Sequence, residues 1–533
     1  MNAVVALPEA ASWHSAWHSA WHSVCALEDI LPDSGAAALV GGEEVAVFRV
    51  RDAVFAIGNH DPASDANVLA RGIVGDIGGE IVVASPMYKQ HFSLITGRCL
   101  EEPRFTVPAY MTQIRNGQIW VRAKPALQRH SGRKPRLVVI GNGMAAIRAV
   151  EELRGLAPQA YDITVFGAEP HGSYNRVLLS PLLAGEKRIE DIVTHPPEWY
   201  VEQEITLHGA DPVVHLDRVR RCVRSRNGVE ASYDRLLMAT GSLPIILPVP
   251  GSSLQGVVTF RDLHDVDTML AASRTRRHAV VIGGGLLGLE AASGLLQRGL
   301  DVTVVHLHPH LMEQQLDAQA AELLRGELER RGLKFKMAVK TLQLCGETEV
   351  SGVGLADGSQ LPAGLVVMAV GVQPNIELAR AAGVPCDRGV LVDDTMLTFD
   401  PSIYAVGECV QHRGKTFGLV APLWEQARVC ATYLAERGAR GYRASQPSTQ
   451  LKVTGINVFS AGNFHAGPGS ESLVLRDPKR GIYKRLVISD GKIRGAVLYG
   501  DVRDSGWYLD LMNEGRNIHA FRDELLFGAP QSR

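Results

Sequence analysis

Between residues 24 and 123 apolar and polar side chains alternate in short runs, as in EEVAVFRVRDAVFAI and NGQIWVRA, and Gly, Asn and Pro separate the runs. Alternation with period two puts the apolar set on one face of a strand, so this stretch predicts a small all-β domain. The polar, basic stretch QRHSGRKP at 128–135 predicts an exposed linker. Beyond it an apolar strand runs into a Gly-rich turn and an amphipathic helix, and this unit occurs twice, which predicts parallel sheets with crossover helices. From about residue 446 the helices fade, and YKRLVISDGKIRGAVLYGD sets two apolar runs on either side of Asp490-Gly491, a two-residue hairpin signal in a separate C-terminal αβ domain. Ahead of everything, WHSAWHSAWHS at 13–23 repeats every four residues and on a helix would stack Trp and His in adjacent stripes. A tandem expansion forming a mobile tail is the simpler expectation, and metal or membrane-surface binding the alternative.

A chain of 533 residues, 46% hydrophobic and 21% charged, can bury several domain cores. Lys and Arg total 55 against 57 Asp and Glu, a net charge of -2, which leaves no basic footprint for nucleic acid. No run of about 18 apolar residues is free of Gly, Pro or charge, and the first residues lack the basic-then-apolar order of a signal peptide, so a soluble cytoplasmic protein is expected. The seven cysteines, at 25, 99, 222, 345, 386, 409 and 430, form no CxxC or CxxxxC pair. That spacing argues against zinc ribbons, thiolate-held iron-sulfur clusters and dithiol redox centres, and the expectation is scattered, mostly buried thiols with no metal.

In RLVVIGNGMAAIRAVEEL an apolar strand meets Gly141, Gly143 and Ala146 at GxGxxA spacing. Gly141 permits the tight turn, Gly143 lets backbone approach a pyrophosphate, Ala146 lets helix and strand pack, and the helix N-terminus faces the phosphates. The next strand, YDITVF, leads to Glu169, which can accept hydrogen bonds from a ribose hydroxyl pair. About 140 residues later HAVVIGGGLLGLEAASGLLQRGLDVTVV repeats the pattern with Gly283, Gly285 and Gly288. Two such folds suit two dinucleotides, one resident and one exchanging; a duplication with one dead site is the alternative. After the second strand His306 stands in the place of the usual ribose acid, with no Arg nearby for a 2′-phosphate, which favours NADH and leaves NADPH open.

The order of these parts resembles the two-dinucleotide-binding-domain flavoproteins, in which the nicotinamide domain is inserted into the FAD domain. YDRLLMATGSLP at 233–244 resembles that family's ATG turn, with Ala239, Thr240 and Gly241 at the crossover. IYAVGECVQH at 403–412 resembles the late FAD motif, with Gly407 and Glu408 meeting the ribityl and pyrophosphate region. Glu in place of the commoner Asp points to the rubredoxin-reductase and nitrite-reductase branch. Gly371 in MAVGVQPN resembles the turn of the nicotinamide domain, and Glu290 the Glu near the nicotinamide carboxamide, with a capping or surface acid as the plainer reading. No cysteine lies between 99 and 222, so the family's redox thiols are missing. Instead YNRVLLSPLLAGE at 174–186 resembles the flavin-side segment of NAD(P)H-dependent assimilatory nitrite reductase large subunits, which implies that Arg176 lies near the isoalloxazine, and LKVTGINVFSAGNF at 451–464 resembles the segment after their flavin domain.

Residues 66–102 resemble the small subunit of the same reductases, a Rieske-like β-domain. The two ligand boxes of a Rieske centre need Cys-x-His and Cys-x-x-His, and the corresponding places read Gly58-Asn59-His60 and Ser85-Pro86-Met87-Tyr88, so no cluster is expected, and His60 and His91 are expected to be structural.

The expected fold is a multidomain α/β flavoprotein with tandem Rossmann-like domains, an N-terminal all-β Rieske-like domain and a small C-terminal αβ domain. Its expected parts are a repeat tail at 1–22, the Rieske-like domain at 23–124, a linker at 125–134, FAD-binding segments at 135–258 and 389–445 around an NAD(P)-binding domain at 259–388, and the C-terminal domain at 446–533. The resemblance implies hydride transfer from NADH, or NADPH, to FAD, with electrons leaving to a nitrate or nitrite reductase catalytic subunit. With no sirohaem or cluster domain in the sequence, six-electron nitrite chemistry is not expected on this chain, and a homo-oligomer is compatible. The rival readings are a self-contained NADH oxidase or rubredoxin/ferredoxin reductase, and a flavin-binding assembly protein without turnover.

Overall fold

A computed structural model describes residues 21–50, 53–77, 80–102, 104–122, 134–436, 441–443, 448–453, 455–465 and 467–529. The chain divides into two compact units, one of Met1–His171, Pro197–Gly241 and Asn375–Arg443, the other of Gly172–Pro196, Ser242–Pro374 and Ala444–Arg533.

The first unit is built on a parallel five-stranded sheet in the order Ile205–His208, Asp162–Phe166, Arg136–Ile140, Arg235–Met238, Ile403–Ala405. In chain order this is 3-2-1-4-5, so the strand order reverses beside Arg136–Ile140, the place where such sheets leave a crevice. The run LVVI has no polar alternation because both faces are covered: Leu137 and Val139 face one core, with Tyr433 and Leu434, and Val138 and Ile140 face another.

The described part of residues 21–122 is built of β-strands with two short 3-10 turns, Leu27–Asp29 and Leu69–Arg71, and its largest sheet is ordered Ala109–Tyr110, Ala53–Gly58, Glu43–Val50, Ser34–Val40. This β-domain shares a core with the parallel sheet. Trp21 and Met111 sit in the same cluster as Tyr433 and Leu434, the Tyr433 hydroxyl donates to the Thr112 carbonyl at 2.8 Å, and the Gln113 amide donates to Asp393 at 3.4 Å. Trp21 is 7% exposed, lies under the Arg115 guanidinium, and starts the strand Trp21–Ala26. The last turn of the WHSA repeat, expected in the tail, therefore belongs to the domain; residues 1–20 and the linker at 125–133 lie outside the described residues.

The second unit repeats the plan, with parallel strands in the order Val257–Thr259, Leu365–Met368, His278–Ile282, Asp301–Val305, Lys334–Lys336. The chain passes between units at 241/242 and 374/375, earlier than the expected 258 and 388, and Gly172–Pro196 groups with the second unit although it was expected in the flavin domain. The C-terminal antiparallel sheet runs Ser448–Val453, Ile456–Gly462, Lys492–Tyr499, Ile482–Ser489, Glu471–Asp477. Its hairpin turns at Asp490 and Gly491, both at positive φ (53° and 66°), with Ser489 opposite Lys492. One face, with Leu486 and Leu498, packs on the helix Ser505–Asn513; the other, with Tyr483 and Val497, joins the core of the parallel sheet. No helix among the described residues is long and apolar enough to cross a membrane.

Candidate functional site

Each parallel sheet carries its glycine turn where its strand order reverses. Gly141 has φ +110°, its amide donates to the Phe166 carbonyl at 2.8 Å, and a Cβ would stand 2.1 Å from the carbonyl oxygen of Ala239. Gly283 has φ +122°, its amide donates to the Val305 carbonyl at 2.9 Å, and a Cβ would stand 2.2 Å from the carbonyl oxygen of Ala369. No other residue fits either corner. The next glycines, Gly143 and Gly285, are the N-caps of helices Met144–Leu156 and Leu286–Gln297. No described side chain caps either helix, and no described atom lies within 4 Å of a Cβ placed at either glycine. Helices Leu263–Ser273 and Ala318–Arg330 are instead capped by Asp262 and Asp317. An open helix N-terminus presents bare N–H groups and a positive dipole end, the features that hold a pyrophosphate, so the residues present fit a dinucleotide at each turn. At the third position Ala146 is fully buried, whereas a Cβ at Gly288 would stand 2.0 Å from the Gly283 carbonyl oxygen, so the second motif requires Gly where the first accepts Ala.

In the first unit Gly407, at φ +94°, brings its backbone against the N-terminal turn of Met144–Leu156: a Cβ there would lie 3.2 Å from Ala145 Cβ, and its amide donates to the buried Gln426 at 2.9 Å. Glu408 follows, half-buried. Glu169 lies half-buried past the end of strand Asp162–Phe166. The Thr240 hydroxyl donates to the Asn375 carbonyl at 2.6 Å, and the Asn375 amide donates to the Gly241 carbonyl at 2.9 Å, so the residues before 241/242 are tied to the residue after 374/375. Gly371, at φ +118°, follows strand Leu365–Met368 as Gly241, at φ +69°, follows Arg235–Met238.

In the second unit the His306 ring is 6% exposed and fully engaged: Nδ1 accepts from the Gly284 amide at 3.0 Å, and Nε2 lies 3.1 Å from Glu313. An Nδ1 that accepts leaves the proton on Nε2, and burial, opposed by Glu313, lowers the ring's basicity, so His306 is neutral. Its expected ribose contact is thus replaced by a link between glycine turn and carboxylate. Glu290, on helix Leu286–Gln297, accepts from the Ser180 hydroxyl at 2.5 Å, and burial pushes its carboxyl up to about 7 against that hydrogen bond. Ser180 is placed by the short helix Leu179–Ala184, whose Leu183 fills the notch left by Gly294 and whose last carbonyls receive the Arg298 guanidinium. Arg176 lies over the Tyr174 ring and donates to the Arg261 carbonyl at 2.8 Å. Arg176 and Glu290 therefore belong to one unit, and the motifs of Gly141, Glu169 and Glu408 to the other.

The places where a Rieske centre holds its iron carry other side chains here. Ser85 donates to the fully buried Asp61 at 2.6 Å, and Ser64 and the Ala63 amide donate to the same carboxylate. Burial would raise Asp61, but these hydrogen bonds hold it below the usual carboxylate range. His60 pairs with Asn67 and Asp65, and His91 with Glu101, whose carboxyl burial pulls up but the His91 backbone and ring bring down to about 2. A donor set of Gly58, His60, Ser85 and Tyr88 offers no thiolate, and these residues do not fit a 2Fe-2S cluster.

Residues 135–430, more than half the chain, match the profile of the pyridine nucleotide-disulphide oxidoreductases. The chain belongs to that family. The other parts of this oxidoreductase match further profiles, residues 20–122 a Rieske-like 2Fe-2S domain and 447–516 the C-terminal domain of rubredoxin NAD+ reductase. It is 47% identical over 385 residues to a nitrite reductase (NAD(P)H) of Bacillus subtilis, covering 72% of this chain and 48% of that one. It is 42% identical over 394 residues to the assimilatory nitrate reductase electron transfer subunit of the same organism, covering 74% and 51%. The chain thus spans about half the length of these curated relatives. Among solved structures, a ferredoxin reductase for the CYP199A2 system from Rhodopseudomonas palustris superposes with a TM-score of 0.65 at 27% identity, over 73% of this chain and 98% of that one. Family membership implies binding of FAD and NAD(P)H. Two residues of this oxidoreductase escaped sequence reasoning: Ser180, though its segment was singled out, and Glu313, which no motif spacing marks.

Proposed function

We propose that the chain is an FAD-dependent NADH oxidoreductase that supplies electrons to a separate nitrate- or nitrite-reducing protein. The observation that carries this reading is the pair of glycine turns, each at a strand-order reversal and each opening an uncapped helix, in a chain that resembles an electron transfer subunit. FAD, when bound, accepts hydride from a reduced nicotinamide and hands the electrons on. The chain's residues then align rather than react. Backbone amides after Gly143 and Gly285 receive the two pyrophosphates, Glu169 accepts from the flavin-side ribose, and Gly407 and Glu408 line the pyrophosphate and ribityl path. The family resemblance assigns Arg176 to the isoalloxazine, and Glu290, one oxygen held by Ser180, would offer the other to the nicotinamide carboxamide. A cytoplasmic setting goes with this use of NADH.

The N-terminal domain is read as free of iron and as a platform for the acceptor, since its ligand positions carry Ser85 and Gly58 and its two candidate histidines have protein partners. No electron is routed through it.

Anaerobic titration of the purified full-length chain with NADH tests the central reading: a yellow chromophore should bleach with stoichiometric NADH and then recover on addition of a nitrate or nitrite reductase catalytic protein together with nitrate or nitrite as the terminal oxidant. Absence of the chromophore, or colour that persists under excess NADH, would overturn it. The match at 447–516 favours one other acceptor, a rubredoxin or ferredoxin, and recovery with those proteins alone would select it.

A further inference from the structure

The adenosine end of the second nucleotide site lacks its usual acid. In a sheet of this kind the ribose hydroxyls are met by a carboxylate at the end of the strand after the glycine turn. Here that strand is Asp301–Val305, and the residue after it, His306, has both ring nitrogens occupied.

The chain beyond it folds back on the turn. At Met312, which has φ +50°, the backbone amide donates to the Gly284 carbonyl at 3.0 Å, and Leu311 packs so closely on Gly284 that a Cβ there would meet its side chain at 2.7 Å. The next residue is Glu313. One oxygen of its carboxylate lies 3.1 Å from His306 Nε2, and the other lies 3.6 Å from His308 Nε2. A neutral His306, accepting from the Gly284 amide on one side and donating to Glu313 on the other, is a rigid spacer that holds a carboxylate two hydrogen bonds from the glycine turn. The carboxylate is 29% exposed, so it keeps lone pairs for an incoming ligand. Positive charge that could receive a 2′-phosphate is spent elsewhere: on the neighbouring strand Lys334 pairs with Asp301 at 2.7 Å and Lys336 with Asp357 at 3.6 Å, and residues 306–317 contain no Lys or Arg.

Resting on the reading of this turn as the pyridine nucleotide site, we infer that Glu313, braced by His306, accepts the 2′,3′-diol of the adenosine ribose and so selects NADH over NADPH. A carboxylate acceptor gains two charge-assisted hydrogen bonds from a diol and repels a 2′-phosphate.

The test compares stopped-flow flavin reduction by NADH, NADPH and reduced nicotinamide mononucleotide, which has no adenosine, in the full-length holoprotein and its Glu313→Gln and Glu313→Ala variants. Gln can still accept from His306, which guards against collapse of the loop. Wild type should prefer NADH, and loss of the charge-assisted bonds should lower kcat/KM for NADH by roughly tenfold to a hundredfold. The ratio of NADH to NADPH should fall by at least as much, and reduction by the mononucleotide should not change. A wild type that prefers NADPH, an unchanged ratio in both variants, or an equal loss with the mononucleotide would overturn the role of Glu313. A wild type whose flavin no nucleotide reduces would overturn the function itself.

Discussion

Replacing Glu290 by Gln removes a titratable proton from beside Ser180 while keeping an acceptor within reach of its hydroxyl, 2.5 Å away in the wild type. Burial lifts the carboxyl from 4.5 to about 7, and the Ser180 hydrogen bond only partly opposes it. A carboxyl that holds its proton more tightly when folded weakens the fold as pH rises. The penalty is absent below the unfolded value of 4.5 and fully present above about 7. At roughly 1.4 kcal/mol per pH unit, that interval corresponds to an upper bound of about 3 kcal/mol. The Gln variant never ionises, so it should match wild type at about pH 4 and exceed it at about pH 8, by up to about 3 kcal/mol. The assay is amide hydrogen exchange of helix Leu286–Gln297, corrected for intrinsic rates and converted to opening free energies. A difference between variant and wild type that is the same at both pH values would refute the assignment of a raised carboxyl to Glu290.

Gly288→Ala forces a Cβ to within 2.0 Å of the Gly283 carbonyl oxygen, so the nucleotide turn must shift at a cost of about 1–3 kcal/mol; nicotinamide binding should weaken while flavin content stays full, and calorimetric titration with NAD+ reads it. Tyr433→Phe strips the donor from the Thr112 carbonyl and should destabilise the first unit by about 1–2 kcal/mol in urea unfolding, with no change in the nicotinamide site. Asp317→Ala removes at once the acceptor of the Tyr483 hydroxyl (2.7 Å), the partner of Arg485 (3.2 Å) and the cap of helix Ala318–Arg330, a loss of about 3–5 kcal/mol. Limited proteolysis should then release the C-terminal domain, and resistance equal to wild type would count against this anchoring.

What the sequence made legible was what short-range sterics dictate. Gly141 and Gly283 stand at corners closed by a carbonyl of the neighbouring strand, a constraint that leaves a glycine in the sequence, and the Asp490-Gly491 turn follows from two residues at positive φ. The continuous apolar run of Arg136–Ile140 likewise reported burial on both faces. Long-range contacts left no such trace. The segment Gly172–Pro196 joins the second unit because Leu183 fits against Gly294, more than a hundred residues away, and neither residue type announces the other. The ring of His306 reads as an open ligand until the path of the chain through Met312 brings Glu313 to it. The Thr240 hydroxyl meets the Asn375 carbonyl, a partner that depends on where the chain returns. Trp21 looked like the end of a repetitive tail because periodicity carries no information on the surface a side chain will meet.

The common core of Trp21, Met111, Tyr433 and Leu434 bears on how the N-terminal β-domain is held to the parallel sheet. Cutting it away would leave an oily scar on its neighbour and an unsatisfied carbonyl-hydroxyl pair at Thr112 and Tyr433, so truncation is penalised whatever the excised piece once did. Such a module behaves less like a detachable cartridge than like a keel: the melting of one should drag down the other in a single transition, and chimaeras that exchange it between relatives will need both sides of the seam transplanted together.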